Sequence, residues 1–141
     1  MPTITIDTIR RGVKSGILLT WELAQIVVPV YFLVTILKHT PVLPWISDRM
    51  VPVMSIVGLP GEASLVLVLG YTVNIYSAIA AMLPLNLNVD QITILAAMIL
   101  VAHSLPVEMA IIKKTGVRIL SLLLIRIGVS FGLGIIFNLL A

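Results

Sequence analysis

Apolar residues run through this chain in blocks of membrane-spanning length, not in the short alternations of a water-soluble domain. One block covers about residues 17–37 and ends at Lys38-His39-Thr40-Pro41. A second covers about 91–112, between the turn Pro84-Leu85-Asn86-Leu87-Asn88-Val89-Asp90 and the polar run Lys113-Lys114-Thr115-Gly116. A third covers about 117–140. Each approaches the roughly 20 residues that cross hydrocarbon, so three transmembrane helices are predicted. Ahead of them, residues 1–16 read as an interfacial segment, with Ile4, Ile6, Ile9 and Val13 lying beneath Arg10, Arg11 and Lys14. Pro29 is expected to kink the first span, and Asp90 to cap the helix that follows it.

Residues 42–84 break the pattern. A short apolar stretch, 42–57, runs into Gly58-Leu59-Pro60-Gly61-Glu62-Ala63-Ser64, and a second helix is predicted from about 62 to 84. Tyr71, Asn74 and Ser77 fall on it at helical spacing as a polar stripe. A Gly-Pro-Gly break exposes backbone groups that lipid cannot hydrate, so it persists at membrane depth only inside protein or beside water. The reading is a re-entrant helical hairpin over about 42–84, with its tip near Pro60 at mid-depth. That layout gathers Arg10, Arg11, Lys14, Lys113, Lys114 and Arg118 on one side and leaves Lys38 and Arg49 on the other. The positive-inside rule then puts the N-terminus in the cytoplasm.

Composition agrees with an all-α integral membrane protein of one domain, residues 17–141, in the inner or plasma membrane. Of 141 residues, 60% are hydrophobic and 11% charged, against about a quarter charged in a soluble domain. The first apolar run is of span length and lacks a small-x-small cleavage site, which argues against a cleavable signal peptide. With no cysteine, disulfides and thiolate chemistry are excluded. A net charge of +3, with its basic residues at span ends, indicates lipid headgroups and not nucleic acid. Enzyme motifs are lacking: there is no H-E-x-x-H, no phosphate-cradling loop, and no spaced nucleophile–base pair. No metal site and no cofactor are expected.

The chemistry is carried by Leu-Pro-x-Glu, which occurs at Leu59-Pro60-Gly61-Glu62 and again at Leu105-Pro106-Val107-Glu108. Pro106 frees the Ala102 carbonyl, and the Gly58–Gly61 break leaves half-helix ends facing one place. Such ends bind ions and polar solutes in transporters. The expected binding residues are Gly61, Glu62, Ser64, Asn74, His103, Ser104 and Glu108, with Na+ or H+ as the coupling ion. Glu22 and Arg126 are expected to form a structural ion pair. Plainer roles stand beside these: Glu62 as a helix cap, His103 as a packing residue, and Glu108 as a partner of Lys113 or Lys114.

Three stretches together resemble the nucleoside recognition ("Gate") domain family. They are Gly58-Leu59-Pro60-Gly61-Glu62-Ala63, the helix with Gly70-Tyr71, Asn74, Tyr76 and Ala78, and Ala102 through Glu108 with Lys113-Lys114-Thr115-Gly116. The likeness runs from about Trp21 to Asn138. That family includes spore maturation proteins A and B, a gate region of ferrous-iron transporters, and segments related to concentrative nucleoside transporters. The resemblance implies that Glu62 matches a hairpin carboxylate that hydrogen-bonds substrate. It also implies a half-transporter, binding a small polar solute such as a nucleoside and completed by another copy or a homologous Gate-domain chain. The alternative is a non-transporting scaffold or gate that regulates a partner membrane protein.

Overall fold

A computed structural model describes residues 6–113, 116 and 118–141. Ile4 of the expected interfacial segment, Lys114 and Thr115 of the expected span end, and Val117 lie outside them. The described residues form helices and turns only. The elements are α1 (Ile6–Lys38), α2 (Val42–Met54) with a 3-10 turn at Ser55–Val57, α3 (Ala63–Thr72), α4 (Ile75–Met82), α5 (Val89–Ala102), α6 (Leu105–Ile112) and α7 (Ile119–Leu140). Three stretches are long and apolar enough to cross a membrane: α1, the interrupted α5–α6 pair over Val89–Ile112, and α7.

Helix α1 is a single 33-residue helix, with no joint between the expected interfacial segment and the first span. Within the helix no proline precedes Pro29, and an isolated glycine such as Gly16 costs a helix only about 1 kcal/mol. The hydroxyls of Thr20 and Thr35 turn back onto the carbonyls of Gly16 and Tyr31, as they must where water is scarce. Asn88, not Asp90, caps α5. Its side chain accepts from the Gln91 amide while the Gln91 side chain accepts from the Asn88 amide.

The expected helix over 62–84 is two helices. Asn74 is fully extended, and its Oδ1 accepts from both the backbone amide and the hydroxyl of Ser77, so it caps α4 and ends α3. The chain doubles back there. A Cβ on Gly70 would lie 3.1 Å from the Ala78 Cβ, a closeness that residues eight apart in one straight helix never reach.

Helix α7 serves as a ruler, about 33 Å long at 1.5 Å per residue. Its C-terminal end lies beside the start of α5, where Phe137 and Leu140 share a hollow with Asp90 and Ile94. Gly58 is held in the left-handed conformation against the Asn138 side chain, near that same end. Tyr71 meets Ser130, half-way along α7. The break at Gly58–Gly61, expected at mid-depth, therefore sits near one end of the bundle, and the interruption that reaches the middle is Val73–Asn74. The Lys38 ammonium donates to the Pro84 carbonyl at 2.7 Å, so the flanks of segment 42–84 lie side by side.

The main core fills this end of the molecule. Val34, Leu43, Met54, Val57, Val66 and Leu67 pack there with Ala78, Ala81, Leu95, Met98 and Ile99. A smaller cluster of Ala102, Leu105 and Met109 packs on Ile119, Leu122, Leu123 and Ile127 toward the other end. Near the Gly58 turn, the chain presses directly on α2. A Cβ on Gly61 would collide with the Ser47 carbonyl, which cannot swing aside as a side chain can. Gly61→Ala should lower stability by about 2 kcal/mol, as overpacking against rigid structure does. Gly58→Ala should cost about 1 kcal/mol, because the Asn138 side chain can give way and the strain of positive φ remains. Thermal unfolding in detergent should rank them in that order.

Candidate functional site

Two interrupted helices meet half-way along α7. One interruption is Val73–Asn74 between α3 and α4. The other is His103–Ser104 between α5 and α6, just upstream of Pro106, which lies in the first turn of α6, where a missing N–H does no harm. Ser104 joins them. Its backbone N–H donates to the Gly70 carbonyl at 3.1 Å, and its hydroxyl donates to the Val73 carbonyl at 3.3 Å. Its own carbonyl accepts from the Glu108 amide. Ser104 holds φ of +51°, the left-handed region, and among the described residues no other non-glycine does. That conformation costs an L-residue about 1–2 kcal/mol, and here both backbone bonds and the hydroxyl bond of Ser104 hold it in place.

The last carbonyls of α5 lose their helical partners at the interruption, and side chains replace them. Arg126 Nε donates to the Val101 carbonyl at 3.0 Å, and His103 Nδ1 lies 3.3 Å from the Leu100 carbonyl. Arg126 also forms an ion pair with Glu108, so one guanidinium holds the end of α5 and a side chain of α6. Both partners keep some exposure, 22% for Arg126 and 32% for Glu108. One turn further along α7, Ser130 donates to the Met98 carbonyl at 2.8 Å and stands 2.5 Å from the Tyr71 hydroxyl, which joins α3, α7 and α5.

The carboxylate that meets Arg126 is Glu108 and not the expected Glu22. Helix α7 packs chiefly on α5 and also touches the Ser55–Val57 turn and α6, whereas α1 packs on α4 and α2 and turns Glu22 outward. The expected binding residues fall into two groups. Asn74, His103, Ser104 and Glu108 gather at the joint. Gly61, Glu62 and Ser64 stand at the opposite end of α3, about 15 Å away by helical rise, and Ser104 does not meet them. Glu62 begins α3 without a capping bond from its side chain. Ser64 is buried, and its hydroxyl has no hydrogen-bond partner.

Sequence reasoning passed over Tyr71 with Ser130, and the Val73 carbonyl. A signal for the break existed in Asn74 followed three residues later by Ser77, the spacing of an N-cap. An apolar groove of about 360 Å³ runs between α4 and α5, but its walls, among them Ile79, Met82 and Leu100, offer a polar solute no hydrogen bond. Among the described residues, no group of three His, Asp or Glu gathers to hold a metal ion.

The family model described as "Gate: Nucleoside recognition" matches residues 20–136. The chain belongs to that family. Over 129 residues it is 42% identical to the uncharacterized membrane protein YvoD of Bacillus subtilis (strain 168), a match that covers 92% of this chain and 41% of that protein. The chain thus spans less than half the length of this relative. No solved structure matches it.

The joint makes opposed demands on residue 104. Glycine would relieve the left-handed strain, and alanine would keep it, while both lose the hydroxyl bond to Val73. Ser104→Gly should therefore be more stable than Ser104→Ala by about 1 kcal/mol. Denaturation of the two variants in the same detergent measures the difference.

Proposed function

We propose that this Gate-family membrane protein is half of a transporter that carries a small polar solute, such as a nucleoside, past the joint between its two interrupted helices. The observation that carries the reading is Ser104 docked on the carbonyls of Gly70 and Val73, half-way along a membrane-length helix. Unwound backbone at such a depth is the usual setting of solute and ion sites in transporters. The carbonyl ends of α3 and α5 both converge there, which favours a small coupling cation, Na+ or H+. The amide ends of α4 and α6 begin there and favour the oxygen atoms of a solute. Asn74, His103, Ser104 and Glu108 are the inner binding groups. Gly61, Glu62 and Ser64 form the mouth, where the buried and unpartnered Ser64 hydroxyl would bond a solute once the mouth opens.

In this reading α3 and α4 are the re-entrant pair, entering and leaving on the side of Lys38 and Pro84, with their tip at Val73–Asn74. The Lys38–Pro84 bond supports it, as does the match in length between α3 and α4. Arg10, Arg11, Lys14, Lys113 and Arg118 then lie on the other side, which the positive-inside rule makes cytoplasmic in a cell membrane. A single unit is incomplete. On the cytoplasmic half, α1 is exposed from Ile6 to Glu22, and no hairpin fills the space opposite α6. We assign that space to a homologous Gate-type unit of opposite orientation. The relative, more than twice as long, has room for both in one polypeptide.

The cysteine-free chain makes topology direct to test. Val42→Cys and Asn86→Cys should both react with an impermeant maleimide from outside the cell, and Lys14→Cys only from inside. Reaction of residues 42 and 86 from opposite sides would remove the hairpin. Uptake of labelled uridine into proteoliposomes tests the solute. Asn74→Ala with Ser104→Ala should lower it by about tenfold or more, the loss of two hydrogen bonds worth about 1 kcal/mol each. Glu62→Gln with Glu108→Gln should also lower it, and full uptake by both double variants would refute the assigned roles.

A further inference from the structure

We infer that the Glu108–Arg126 pair is a latch that keeps the α5–α6 joint shut, and that taking the charge from either partner opens the joint to water. Arg126 reaches both sides of the interruption. Its Nε holds the Val101 carbonyl on α5, while its terminal nitrogen pairs with Glu108 on α6. Arg126 is thus an α7 side chain that bonds polar groups on both halves of this broken helix. The tie is strong because a planar guanidinium bonded to a carboxylate and to a helix-end carbonyl satisfies all three at once. It is also releasable, since both side chains remain part-exposed on the half of the molecule that the hairpin does not reach. A solute or ion that competes for Glu108 or Arg126 would therefore act on the joint directly. Under the latch lies a small core, Ala102, Leu105 and Met109, with Ala102 wholly buried beside the interruption. Opening exposes this core and leaves the larger one, on the far side of Tyr71, intact.

The latch rests on reading this joint as the solute's route, yet it can be measured with no solute present. Ala102→Cys supplies a thiol at the joint, and Ala81→Cys supplies one in the main core, each in a chain that has no other. The probe is a charged, water-soluble maleimide on protein in vesicles. Ala102→Cys should react slowly in the otherwise native chain. It should react about tenfold faster or more when combined with Glu108→Gln or with Arg126→Gln, as local opening replaces protection. Ala81→Cys should stay slow in all three backgrounds. Equal rates at residue 102 in the three backgrounds would overturn the latch. Parallel acceleration at residue 81 would also overturn it, because the pair would then hold up the whole fold. Absence of uridine uptake by the native chain, with the labelling pattern intact, would count against the transport reading alone.

Discussion

A peptide group in hydrocarbon has no water to fall back on, and the bond from the Ser104 amide to the Gly70 carbonyl answers that constraint where it is most acute. Each interruption by itself leaves carbonyls at one helix end and amides at the next. Crossing two interruptions lets one supply what the other lacks. The left-handed backbone of Ser104 follows from this, because only that turn aims its amide and hydroxyl at two carbonyls of the neighbouring helix end. Gly70 follows as well. It gives α3 a face thin enough for Ala78 and Ile99 to close on it, which brings its carbonyl within reach of α5–α6. Strain at one residue is thus tied to a small residue in a different helix, and both trace to a single hydrogen-bonding demand.

Helix α7 carries the complement. Arg126 and Ser130 stand one turn apart on one face, and each bonds a carbonyl of α5, Val101 and Met98 respectively. Gly134, another turn on, is pressed between Met98 and Val57. The same face therefore passes from charge, to hydroxyl, to no side chain at all. The order matches what it meets: a broken helix end, then a regular helix beside Tyr71, then close packing at the 3-10 turn. A charged residue in an otherwise uncharged 22-residue helix is costly unless it is paired, and Arg126 is paired twice.

The membrane class, the three spans and the polar character of residues 102–108 were legible in the sequence, because block length and proline position act locally. The depth of each interruption was not. Gly58-Leu59-Pro60-Gly61 looks like the stronger break, and in backbone terms it is, with two glycines and a proline against one asparagine. Yet breaking strength does not fix position along the bundle. Position is set by what the break packs on, here Asn138 and the Ser47 carbonyl at one end of α7. Asn74 reads as part of a polar stripe on a continuous helix because Tyr71, Asn74 and Ser77 fall at helical spacing. Its capping of Ser77 is a choice between two local hydrogen bonds that tertiary contact with Ser104 tips. The pairing of Arg126 with Glu108 instead of Glu22 likewise depends on which helices touch, and charge balance alone allowed either.

The depth of the Val73–Asn74 turn has a consequence for how such a domain can work. Helices α3 and α4 are about 15 and 12 Å long by helical rise, each about half the thickness of a bilayer's hydrocarbon, which is what the proposed re-entrant pair needs in order to stop half-way. Beyond their tip, the described residues offer α1, α6 and α7, and α1 is exposed there from Ile6 to Glu22. On the proposed reading, a hairpin that stops half-way leaves the joint covered on one side by the main core and on the other by the Arg126–Glu108 pair over the small cluster of Ala102, Leu105 and Met109. On that reading, access from the hairpin side would move the large core, whereas access from the opposite side would move the pair and the small cluster beneath it. A unit built this way is intrinsically easier to open on one face. A second unit set against it the other way up would bring the matching asymmetry, and alternation between the two faces would then follow from packing already present in each half.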